Sequence, residues 1–153
     1  MTPLNLIRLS AVALFLSASL ALAQTAAPAA YAPQKVVYHL NQDGGEAGDG
    51  YRPALNNIEN HLQAVGDDNI DLRVVMHGDG IGLLQHAAEN LQLQGRVADL
   101  KNRGVDFLVC ANTLTGRNID PDDLFEVFDE DIVPSGVAEV ARLQAEGFAY
   151  LRP

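Results

Sequence analysis

One cysteine, Cys110, occurs in the 153 residues. A single thiol excludes any intramolecular disulfide framework, and with it the Cys-x-x-Cys chemistry of dithiol oxidoreductases. Basic residues are also scarce, with 10 Lys and Arg against 20 Asp and Glu. That balance argues against a nucleic-acid or anionic-membrane surface, because both need clustered Lys and Arg. No apolar run reaches the length of about 20 residues that a membrane span requires. No group of His, Cys, Asp and Glu has zinc-ligand spacing, so no metal is expected. The Gly-rich stretch GGEAGDG matches neither the dinucleotide fingerprint nor the P-loop, and its Glu46 and Asp49 would repel phosphate. No internal repeat is visible.

The longest apolar run, Leu9 to Leu22, follows the single positive charge of Arg8 and ends in Ala21-Leu22-Ala23. This is the pattern of a secretory signal peptide over residues 1–23, cut before Gln24. An uncleaved anchor is the competing reading. No cysteine follows the cleavage site, which argues against a lipoprotein. The Ala-, Pro- and Thr-rich residues 24–33 read as a flexible lead-in. Residues 34–153 remain for one domain, with a core large enough to fold without covalent help. The expected location is the periplasm.

Within that domain, short apolar runs alternate with helical patterns. Strands are predicted at 35–40, 70–77, 105–110, briefly in DIVPSG, and at 148–152. Leu55, Ile58, Leu62 and Val65 mark one helix, with Gly66 as its cap; Ile81, Leu83 and Leu84 lie in a second helical region. Leu93, Val97 and Leu100 mark another, ended by Gly104. Asp120-Pro121 reads as a cap and first-turn proline of a short helix bearing Leu124 and Phe125. Ser135 is expected to cap the last helix, with Val137, Val140 and Ala141 facing inward. Strands almost continuous in Val, Leu, Ile and Phe indicate a parallel sheet covered on both faces. The fold class is therefore α/β, a flavodoxin-like or Rossmann-like layer sandwich of about five strands.

Ligands of open parallel sheets bind beyond the carboxyl ends of the strands. The first three strands are followed there by Asn41-Gln42-Asp43, by His77-Gly78-Asp79-Gly80, and by Cys110-Ala111-Asn112-Thr113. If Asn112 or Thr113 caps a following helix, the Cys110 sulfur lies near N–H groups that favour thiolate, with Arg117 as a further cation. Spacing alone fits a buried, inert cysteine equally well. His77 is either a proton donor and acceptor beside Cys110 or a histidine tied to its loop. Asp79 reads as a helix cap. His61 and His86 are expected on helix surfaces facing solvent, and His39 within the first strand.

Three segments, VVMHGDGIGLL, RGVDFLVCANTL and VPSGVAEVARLQAEGFAYL, resemble the DsrE/DsrF-like sulfur-relay family, nearest its poorly characterised branch. The likeness runs from Lys35 to Pro153. It implies a homo-oligomeric α/β protein in which a cysteine at the sheet edge, by position Cys110, carries sulfur as a persulfide. No cofactor is called for. The expected partner is a sulfur donor or acceptor, either a protein or a small sulfur compound. Cys110 is then the catalytic residue; His77, Gly78, Asn112, Thr113 and Asn41 form the binding set. This reading requires the sulfur to emerge at a crevice mouth among N–H donors. The alternatives are a non-enzymatic ligand-binding or assembly module with an inert cysteine, and redox sensing through a Cys110–Cys110 disulfide between subunits.

Overall fold

The computed structural model describes residues 31–153; the expected signal peptide and most of the lead-in lie outside them. Five strands form one sheet: β1 (Gln34–Leu40), β2 (Ile70–Met76), β3 (Asp106–Cys110), β4 (Ile132–Val133) and β5 (Ala149–Leu151). Their order is β4-β3-β2-β1-β5, and every neighbouring pair is parallel. Five helices connect them: α1 (Arg52–Val65), α2 (Gly82–Glu89), α3 (Leu91–Asn102), α4 (Ala111–Arg117) and α5 (Gly136–Ala145). The α/β layer architecture read from the sequence is the one found.

Side chains alternate between the two faces of a strand, and the faces are covered unequally. Val36, Tyr38, Leu40, Leu72, Val74, Met76, Phe107 and Val109 pack under α1, α2 and α3 in the main core. Val37, Val75 and Leu108 point the other way, against Val140 and Leu143 of α5 and against Phe148. Chain direction explains the asymmetry. The run from β1 to β4 advances steadily across the sheet, and right-handed crossovers keep its helices on one face. The return from β4 at one edge to β5 at the other crosses the opposite face, and α5 is the helix that makes it. Because a helix after a parallel strand begins at the carboxyl edge, the amino end of α5 comes to rest beside β3.

Local signals explain most boundaries. Pro53 sits in the first turn of α1, where its missing N–H costs nothing, and Gly66 ends the helix at φ 90°. The Asn90 side chain accepts from the N–H groups of Gln92 and Leu93 and so starts α3. Ser135 caps α5, accepting from the Ala138 N–H at 3.4 Å. Among the described residues no helix is long and apolar enough to cross a membrane.

Some expectations are corrected. Asp120-Pro121 opens only a turn of 3-10 helix, Pro121–Asp123, because the Asp120 carboxylate closes it on the Asp122 N–H. Leu124 and Phe125 lie beyond that turn, and the Phe125 N–H bonds to the Leu84 carbonyl. Of the three residues expected to face inward on α5 only Val140 does; Val137 is 64% exposed and Ala141 is exposed. A lone helix over a sheet buries a narrower stripe than one packed on several sides. His61 is half-buried rather than solvent-facing: its ring bonds to the Tyr38 hydroxyl at 3.1 Å and the Gln34 side chain at 2.7 Å.

Candidate functional site

The carboxyl ends of the first three strands share one edge because all three run parallel in adjacent positions. Leu40 pairs with Met76, Met76 with Val109, and Val109 with Ile132, which makes one row across the sheet. One residue further along, the side chains turn to the α5 face. Cys110 stands there, paired with Val133.

Cys110 is both the last residue of β3 and the residue on which α4 begins. Neither Asn112 nor Thr113 caps that helix, as the sequence suggested; the strand passes into the helix without a loop, so the cysteine itself takes the cap position. Its side chain is 5% exposed, buried rather than emerging at a crevice mouth. The surroundings are nevertheless not purely hydrocarbon. Burial pushes the thiol pKa up, but hydrogen bonds from the Gly136 N–H, the Thr113 hydroxyl, and the Thr113 and Asn112 N–H groups outweigh it. The net direction is down from the ordinary cysteine value, so the anion is favoured.

Each donor has a structural reason to be there. The Asn112 and Thr113 N–H groups belong to the first turn of α4, where helix geometry leaves them without backbone partners. Gly136 opens α5, and its N–H is unpartnered for the same reason. A side chain at this position could not be accommodated freely: a Cβ on Gly136 would lie 3.1 Å from the His77 Cβ and 3.3 Å from the Cys110 Cβ. The missing side chain eases the approach of the helix end to the space that His77 and Cys110 flank.

His77 follows β2 directly and is half-buried on the same face. Its Nε2 lies 2.6 Å from the His39 Nε2, and the two rings stack with centroids 4.7 Å apart. The His39 Nδ1 in turn meets the Tyr150 hydroxyl at 2.8 Å. Gly78 adopts φ 55°, a left-handed conformation suited to glycine, and its N–H donates to the Thr113 hydroxyl oxygen at 3.0 Å. Cys110, His77, Gly78, Asn112 and Thr113 thus form one cluster. Asn41 follows β1, next to β2 and two strands from β3. Among the described residues, its buried Oδ1 and the Oε1 of Gln42 have no hydrogen-bond partner.

Asp79 is not a helix cap. It pairs with Arg117 at 2.8 Å, with both side chains about half exposed. Arg117 sits at the far end of α4 and spends its charge on that carboxylate instead of the sulfur. Gly136, His39 and Tyr150 were not expected at the site. The signals existed: Ser135 marks the start of α5, and His39 has the same strand parity as Val37. What the sequence could not supply was the path of α5 and the position of β5 beside β1.

A family model described as the DsrE/DsrF-like family matches residues 18–153. Among solved structures, a protein of unknown function from Methanobacterium thermoautotrophicum is 32% identical, with a TM-score of 0.65. The match covers 78% of this chain and 99% of that one. No curated protein matches.

Proposed function

The chain belongs to the DsrE/DsrF-like family, and from that membership together with the surroundings of Cys110 we propose a periplasmic sulfur carrier. Membership supports sulfur relay in general. The specific role of Cys110 is supported by its place at the end of β3 beside the Asn112, Thr113 and Gly136 N–H groups and the Thr113 hydroxyl, which favour the thiolate against the cost of burial.

The chemistry is a pair of sulfur displacements without net oxidation. The Cys110 thiolate attacks the sulfane sulfur of a polysulfide or hydropersulfide. A new S–S bond forms at Cys110, the donor's S–S bond breaks, and the donor leaves as a shortened thiolate or polysulfide. An acceptor thiolate, or a sulfur oxyanion such as sulfite, then attacks the outer sulfur, and Cys110 departs as thiolate. Donors fixed before the reaction stabilise each anion without having to reorganise. One thiol suffices, since the resolving partner belongs to the acceptor. With Cys110 only 5% exposed, a slender sulfur compound suits the site better than a thiol on a folded protein's surface. The same reading takes the protein as a homo-oligomer.

Mass spectrometry after polysulfide treatment tests it. The reading expects a gain of one sulfur, about 32 Da, on the native protein and none on Cys110→Ser. No such adduct on the native protein would refute the carrier role.

The burial of Cys110 favours a second reading, in which the cysteine is inert and the edge serves a non-enzymatic binding or assembly module. Native alkylation separates the two. An unreactive thiol titrating at or above about 8.5 would select the second. Redox sensing through a disulfide between two copies would need the buried sulfur to come out.

A further inference from the structure

Cys110 presents a problem of proton traffic. A thiol or hydropersulfide that ionises at the site must release a proton, and Cys110 as a residue is 5% exposed. Beside it, across Gly136, begins a hydrogen-bonded file of three side chains from three strands or strand ends. His77 meets His39 through Nε2 at 2.6 Å, and His39 meets Tyr150 through Nδ1 at 2.8 Å. Tyr150 is 40% exposed on the outermost strand, β5. The file starts at His77, which follows Met76 beside the Val109–Cys110 end of β3, and ends in solvent.

We infer that His77, His39 and Tyr150 form a proton wire that carries the proton released at Cys110 to water at the β5 edge. The inference rests on the sulfur-carrier reading and adds the route by which that carrier is kept ionised.

The proton count closes. Two imidazole nitrogens in contact hold one proton between them, one ring donating and the other accepting. In the starting arrangement the His77 Nε2–H donates to the His39 Nε2. The His39 Nδ1–H donates to the Tyr150 oxygen, whose own hydroxyl proton faces water. A proton taken up at the His77 Nδ1 displaces each of these by one place. His77 passes its Nε2 proton to His39, His39 passes its Nδ1 proton to Tyr150, and Tyr150 gives its hydroxyl proton to solvent. Every member ends neutral, with both imidazoles in the opposite tautomer. When sulfur transfer releases Cys110 as thiolate, a proton returning to it along the same file restores both tautomers.

The charge environment keeps the wire neutral at rest. Burial lowers the pKa of both imidazoles, and for His39 the neighbouring His77 and the Arg152 guanidinium lower it further. Other charges on this face are engaged elsewhere. Lys35 and Arg73 lie over the Phe148 ring, and Glu139 of α5 pairs with Arg142.

The test combines two readouts on the purified protein. Polysulfide loading is timed at low and high imidazole concentration for the native protein, His39→Gln and Tyr150→Phe. The wire predicts loading about tenfold slower or more in both variants at low buffer, restored by added imidazole, while the native rate ignores the buffer. Equal, buffer-independent rates in all three would overturn the wire and leave the carrier standing. Histidine NMR titration gives the second readout. His77→Gln raises the His39 pKa if the two rings face each other, and an unmoved His39 removes the contact and the wire together. Failure of the native protein to load at all would instead refute the carrier reading, and the wire would fall with it.

Discussion

The Gly78 N–H donates to the Thr113 hydroxyl oxygen at 3.0 Å. A hydroxyl has one proton and two lone pairs, so an oxygen already accepting from Gly78 is oriented to give its proton elsewhere. The Thr113 hydroxyl is among the groups that lower the Cys110 thiol pKa, and a proton turned toward the sulfur has that effect. The loop after β2 thus sets the direction of a hydrogen bond onto the sulfur at the end of β3.

Thr113→Val therefore removes a donor from the thiolate and the acceptor of the Gly78 N–H together. A hydrogen bond to a charged group is worth about 1.5–3 kcal/mol, so the thiol pKa should rise by about one unit or more. Thr113→Ser keeps the hydroxyl and should stay near the native value. Native alkylation rate against pH measures both.

Gly136→Ala should separate site from stability. The added Cβ meets the Cys110 and His77 Cβ atoms at 3.3 and 3.1 Å, so the amino end of α5 must shift by a few tenths of an ångström. Alanine favours a helix interior over glycine by about 1 kcal/mol, less at a first-turn position, and offsets part of the strain. Thermal unfolding should change modestly while the thiol pKa rises toward its ordinary value. A variant with native alkylation kinetics would show that the Gly136 N–H is not needed by the sulfur.

The sheet face under α5 is thin, and its stability should be sharply localised. Leu143 is fully buried there beside Val37, Val75, Leu108 and Phe148. Leu143→Ala should cost about 2–5 kcal/mol in urea unfolding. Val137, which follows Gly136 but is 64% exposed, should tolerate alanine within about 0.5 kcal/mol.

Acid should destabilise the protein through its histidines. Burial lowers the folded-state pKa of His39, His61 and His77, so the native state favours their neutral forms. The unfolded chain binds these protons first, near pH 6.5, and stability rises with pH through that window. The contribution is complete above about pH 7 and declines as pH falls through 6.5 toward the lowered native values. The double variant His39→Gln/His77→Gln should show a flatter dependence of Tm on pH between about 5 and 7.5 than the native protein.

The fold was legible wherever burial imposes a regular pattern. Short apolar runs rich in β-branched and aromatic residues, such as Val36-Val37 and Phe107-Leu108-Val109, bounded by turn residues, read as strands covered on both sides, and they placed the three central strands. Helix starts carried by a capping side chain, as at Ser135, were equally visible. Less regular packing escaped. Val137 and Ala141 look apolar in a helical register, yet with α5 alone on its face only one stripe of that helix is covered. The candidate site was half visible. Parallel order alone brings Cys110, His77 and Asn41 to one edge, but whether they touch depends on which strands neighbour and which face each side chain takes. Register and parity bring Cys110 and His77 together on the α5 face and leave Asn41 two strands away. The Gly136 N–H and the His39–Tyr150 pair depend on a crossover between distant parts of the chain, and no local pattern encodes that.

The central claim is that a nearly buried sulfur is held as an anion by converging donors. Titrating the ultraviolet thiolate absorbance of the native protein, with Cys110→Ser as the blank, measures this directly. The account predicts ionisation below the ordinary thiol value of about 8.5. Ionisation at or above that value would contradict it.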